Sequence, residues 1–260
     1  VVSERAKNPL GYVYAVGEGV PEGRPVDLTV LEDDWPFVYL RSRTIPSEYL
    51  VAMALMGLAS LGLVRAFGGS GWAGPDALHF AALGAAFLLL ETRGLGVLAL
   101  VLGSTWGVTS AVFAGVLVMA LAATVVVSRL SPVDARRERR RVLGMALSLA
   151  AALVLDFSFT TGELSTLPLA LRVSLGAVLV SLPLFAGGMI FATSLARSGE
   201  ADRALAANLM GAMAGGLMEY VAMITGFRML VLLAGALYGI ALLRLLRPSP
   251  GYSPRSAISP

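Results

Sequence analysis

From Ser47 to Leu246 one apolar run follows another, with short polar interruptions between them. A hydrocarbon core about 30 Å thick takes roughly 20 apolar residues per helix, within a range of about 17–25. In lipid each backbone N–H and C=O must be satisfied within the protein, so runs of this kind fold as helices. The spans read as 48–67, a long stretch from Pro75-Asp76 to Leu130, then 141–155, about 165–196, 204–224 and 228–246. Ser165-Thr166-Leu167-Pro168 opens one of them, with a hydroxyl cap and proline in the first turn. Composition agrees: 57% of residues are hydrophobic and 14% charged, against roughly 45–50% and about 25% in soluble domains. So few ionisable groups do not build a water-facing surface. The expected fold is an all-α polytopic membrane protein, with seven or eight transmembrane helices after a short soluble α/β remnant. The expected domains are 1–46, 47–247 and 248–260.

The helix count turns on residues 76–130. Two long helices meeting at Gly103-Ser104-Thr105 give seven spans; three shorter ones, with a turn near Arg93-Gly94, give eight. The arginines of 129–141, 197–203 and 244–247 mark the cytoplasmic side by the positive-inside rule. Seven spans then put residues 1–46 outside, and eight put them in the cytoplasm. Eight is favoured on the premise that the soluble piece is cytoplasmic. That piece holds turns such as Asn8-Pro9-Leu10-Gly11 and Pro21-Glu22-Gly23 and a β-leaning run from Gly11 to Val16. It reads as the last strands and loops of a soluble domain, too short to bury a core alone. With Val1 rather than Met in first place, the chain is expected to begin inside a longer protein. The tail 248–260, with four prolines, is expected to be disordered.

The chain has no cysteine, and His79 is its lone histidine. Disulfides, thiolate chemistry and a His-rich metal cluster are thereby excluded, and a Ser-His-Asp triad would have to use His79. The arginines at the ends of apolar runs suit lipid headgroups, and no aromatic–basic interleaving of a nucleic-acid binder is seen. No catalytic residue, metal site or cofactor site is expected within this chain.

An ionisable side chain at the bilayer centre costs at least ~2.5–3.5 kcal/mol, so each one calls for an explanation. Glu91-Thr92-Arg93 lies near mid-membrane if its helix is long, and is an interfacial charge pair if the helix is short. Gly103-Ser104-Thr105-Trp106 is either a helix break lining a site or an interfacial turn anchored by Trp106. Asn208, Gly211, Gly215 and Glu219 recur at steps of three and four, which places them on one helical stripe. Gly211 and Gly215, with Gly216 beside them, let a neighbouring helix approach closely. A packing seam with polar contacts at Asn208 and Glu219 is the plainer reading. A proton or cation site at Glu219, with Arg93 or Glu91 nearby, is the sharper one. His79 reads as packed or interfacial, Asp156 and Glu163 as solvated flanks of a loop, and Met210, Met213 and Met218 as packing residues.

Four strings, in order, resemble large bacterial membrane proteins fused to a spermidine-synthase-like domain. They are Leu31 to Arg41 with Ile45-Pro46, Phe87 to Arg93, Gly103 to Trp106, and Asn208 to Tyr220 preceded by Pro183 to Phe191. The resemblance implies a multi-pass protein of the bacterial inner membrane, with an S-adenosylmethionine-type transferase domain upstream of Val1. That domain's glycine-rich loop is not here: Val16-Gly17-Glu18-Gly19 lacks the pattern. Asp33-Asp34 resemble the acidic pair near the end of such domains, without a catalytic role in this chain. Aminopropyltransferase-like activity would belong to a longer parent. Three functions follow: anchoring and positioning that domain; moving a polyamine or other cation, with Glu91, Arg93, Asn208 and Glu219 as substrate or ion groups; or holding a homo-oligomer together through the glycine seam.

Overall fold

The computed structural model describes residues 34–37, 40, 43–67, 76–103, 106–131, 133–158 and 166–246. The chain divides into Val1–Val30 and Leu31–Pro260, and every described residue belongs to the second unit. Most of the expected soluble remnant and all of the expected tail lie outside the described residues, as do Asp33, Ser104, Thr105 and Glu163.

The helices are α1 (Ser47–Phe67), α2 (Ala77–Leu102), α3 (Trp106–Ser128), α4 (Ala135–Ser158) and α5 (Leu169–Arg197). Helix α6 begins over Ala201–Met218 and continues through a 3-10 turn, Glu219–Val221, into a last turn, Ala222–Thr225; α7 is Arg228–Leu245. Five of the described helices are long and apolar enough to cross a membrane, and two shorter apolar ones, Ser47–Leu63 and Val112–Ser128, accompany them. Leucines such as Leu117, Leu147 and Leu243 point outward and are largely exposed, an arrangement suited to lipid and not to water. The chain is a multi-pass, all-α membrane protein.

Helix α2 is the axle. It runs unbroken for 26 residues, about 39 Å at 1.5 Å per residue, and α3, α5, α6 and α7 all pack on it. The turn near Arg93-Gly94 on which an eight-span division rests is not there. Arg93 sits on the buried face of a continuous helix, and its charge is met from a neighbouring helix, so nothing forces the chain out to the headgroups.

The bundle has two chemically distinct ends. At one, Arg244 at the end of α7 pairs with Asp76 at 3.1 Å, and Arg197 at the end of α5 pairs with Glu138 at 2.7 Å. Arg136 to Arg141 and Arg203 lie at this end too, on the first turns of α4 and α6. The other end carries the α6–α7 turn, the last turn of α4 and the start of α1, whose Tyr49 ring lies 5.5 Å from that of Tyr220.

Candidate functional site

Helices α2 and α6 form the most extensive pairing in the bundle, and the reason is the small-residue stripe. A Cβ on Gly211 would run into the backbone of Ala81, and one on Gly215 would lie 2.7 Å from the carbonyl oxygen of Ala85. Across the seam, a Cβ on Gly84 would strike the main-chain carbonyl of Asn208. The two backbones are therefore in contact, as small residues at i and i+4 permit. Gly216 is less constrained, with the flexible end of Leu88 at 3.2 Å from its Cβ position. Because α2 of the same chain occupies this seam, it is not free to hold a second copy.

At the end of the seam the polar groups meet. Thr92 Oγ1 donates a hydrogen bond of 2.7 Å to Glu219 Oε2, tying α2 to α6 where α6 tightens into its 3-10 turn. One residue on, Arg93 turns to α4: its Nε donates to Asp156 Oδ2 at 2.8 Å, and its Nη2 donates to the main-chain carbonyl of Asp156. Both side chains are almost fully buried, at 4% and 6% exposure. Asp156 is thus not the solvated loop flank that its neighbours Thr160 to Glu163 implied. It lies in the last turn of α4 on the buried face, as the counter-charge of an intramembrane arginine. Sequence held the signal in one form: an arginine within a span demands an acidic partner, and few carboxylates lie within reach of the spans. Glu91, part-buried, has no ion-pair partner among the described residues. Neither does Glu219, whose contact is a hydroxyl. Glu219 and Asp156 are thus the partners of the successive residues Thr92 and Arg93, and Arg93 and Glu219 are not joined to each other.

Asn208 faces elsewhere. With Thr124, Gly187 and Tyr238 it borders a cavity of about 200 Å³ in the bundle. The hydroxyl of Tyr238 is fully buried and has no hydrogen-bond partner among the described residues. Gly103 ends α2 with φ +90°, its N–H donating to Ala99 O at 2.9 Å, and Trp106 opens α3, 88% exposed. The break follows a helix of membrane length and connects two helices.

A contact set that the sequence did not foretell lies at the α6–α7 turn. Gly226 has φ +93°, and a side chain there would collide with Asp34. Asp34 Oδ1 accepts from the Arg228 N–H at 2.7 Å and Asp34 O from the Phe227 N–H at 2.8 Å, so this aspartate caps the start of α7. Trp35 is buried and donates from Nε1 to Met223 O at 2.7 Å. Phe37 packs on Phe227 with centroids 5.4 Å apart, and Arg43 lies over the Trp35 ring at 5.5 Å. At the opposite end His79 is buried, as a packed residue, with Nδ1 at 3.0 Å from Ala241 O and Nε2 at 2.9 Å from Ser194 Oγ.

Comparison of the chain with known protein families, with curated proteins and with solved structures finds no match. The likeness to spermidine-synthase-fused membrane proteins accordingly rests on the four strings alone.

Proposed function

We propose that this chain is a membrane scaffold that anchors the part of the protein preceding α1 through a junction, residues 34–37, held on the bundle. The junction carries this reading. Residues 34–37 are bound to the α6–α7 turn by a helix cap, an indole hydrogen bond and a ring contact, which a flexible tether would not need. The resemblance supplies the candidate for what is held, a spermidine-synthase-like transferase domain, and the bacterial inner membrane as the setting. By the positive-inside rule the arginine end is cytoplasmic, and the junction is at the other end. The junction therefore lies on the side away from the cytoplasm.

Because the chain has no cysteine, single cysteines report cleanly. Ser47→Cys in intact cells is expected to react with a membrane-impermeant maleimide, and Arg137→Cys only after lysis. Reaction of both from the same side would sink the sidedness. For positioning, a nitroxide on Leu40→Cys is expected to be immobile and to be freed by Asp34→Ala with Trp35→Ala. Equal mobility in both backgrounds would leave a mere tether.

A second reading, transport of a polyamine or other cation, draws on Glu91 and Glu219, carboxylates without a cationic partner among the described residues and three turns or less from the bundle's end. Negative groups at that depth suit a cationic cargo. Glu219→Gln is then expected to abolish uptake of labelled spermidine into proteoliposomes; absence of uptake by the parent chain would end this reading.

A further inference from the structure

A cleft of about 420 Å³ opens at the arginine end, between the end of α3, the first turns of α4 and the last turns of α5. Helices α3 and α4 both pack on α5 yet scarcely touch one another. The cleft is therefore a slot between two helices, with α5 as its floor. Its walls change character with depth. Toward the bundle's middle they are Val127, Val142, Met145 and Thr193, whose hydroxyl donates to Met189 O at 2.7 Å; at the rim they are Glu138, Arg141 and Arg197.

The rim is built and cationic. Arg141 donates from Nη1 to Ser131 O at 2.7 Å, and Arg197 donates to Glu138 at 2.7 Å. Each contact orients a guanidinium, which carries five N–H donors and so has others to offer. Arg136, Arg137, Arg139 and Arg140 lie on the same helix beside the slot without lining it, with Asp134 and Glu138 among them. Apolar depth beneath an arginine rim, at the bilayer surface, is the shape of one ligand class.

We infer that this slot binds an anionic phospholipid, with its phosphate on Arg141 and Arg197 and an acyl chain lying between α3 and α4. The excess of positive charge favours a lipid with net negative charge over a zwitterionic one. A free phosphate would leave the apolar floor unused. The inference is independent of the scaffold proposal, since it does not involve the junction.

The test uses the full chain purified in detergent and titrated with dioleoyl-phosphatidylglycerol, dioleoyl-phosphatidylcholine or inorganic phosphate, read by thermal shift and by native mass spectrometry. The phosphatidylglycerol is expected to raise the unfolding midpoint and remain bound, the other two to do neither. Arg141→Gln and Arg197→Gln should each weaken it about fivefold. Ala196→Phe should weaken it by filling the slot at unchanged charge, whereas Arg137→Gln, outside the slot, should change it less than about twofold. If Arg141→Gln does not fold, Arg197→Gln and Ala196→Phe carry the test. Equal losses from Arg137→Gln and Arg141→Gln would reduce the effect to diffuse attraction and overturn the site. So would phosphatidylcholine or phosphate performing as well as phosphatidylglycerol, or Ala196→Phe binding like the parent.

Discussion

Replacing Asp156 by asparagine keeps the shape of the side chain and removes its charge, leaving Arg93 buried at 4% side-chain exposure with nothing to balance it. Arginine does not escape by losing its proton. Breaking a buried ion pair from one side costs about 3–5 kcal/mol. Here the lower end, about 3 kcal/mol, is expected, because the Nη2 bond to the Asp156 main-chain carbonyl survives the substitution. For a domain of about 200 residues each kcal/mol shifts the midpoint by about 2–4 °C, so Asp156→Asn should lower Tm by about 6–12 °C. Arg93→Met should do less harm, since an orphaned carboxylate relieves itself by taking up a proton. The double variant Arg93→Met with Asp156→Leu replaces the pair by apolar contact and should fall within about 1 kcal/mol of the parent. Far-UV circular dichroism of detergent-solubilised protein during heating measures the parent and the three variants. A drop below about 2 °C for Asp156→Asn, or a double variant as unstable as the two singles summed, would refute the claim that these charges persist because each answers the other.

The seam yields a paired test: Gly211→Ala, whose methyl meets the Ala81 backbone, should destabilise by about 1–3 kcal/mol. Gly216→Ala, which meets the movable end of Leu88 at 3.2 Å, should stay within about 0.5 kcal/mol; the same thermal scans decide, and equal effects would deny backbone contact at Gly211. Tyr238→Phe removes a buried hydroxyl that lacks a partner among the described residues, so Tm should hold or rise by the equivalent of about 1 kcal/mol. A loss of more than that would mean the hydroxyl is bonded in solution. Asp34→Ala should unfasten the start of α7 and cost about 1 kcal/mol, with faster hydrogen exchange at the Phe227 and Arg228 amides as its local signature.

What the sequence disclosed, and what it withheld, divides along the range of the forces involved. Span length and backbone proximity are local properties: roughly 20 apolar residues set a helix, and glycines four apart allow close approach whatever lies opposite. Runs of residues therefore sufficed for the all-α membrane class, for the break between the spans 204–224 and 228–246, and for the stripe of Gly211 and Gly215. Pairing is not local. Whether Arg93 ends a helix or sits inside one depends on a carboxylate 63 positions away, and that dependence misdirected two expectations together. The turn near Arg93-Gly94 and the solvated Asp156 were each reasonable alone and are each removed by the same contact. The junction escaped for a related reason. Asp34 and Trp35 sit in a stretch of soluble character, and their membrane role appears once Gly226, 192 positions on, leaves a gap for them. In a bundle of uniform grease the few polar side chains choose their partners across the fold, so the chemistry of this protein lies in pairs that its linear order keeps apart.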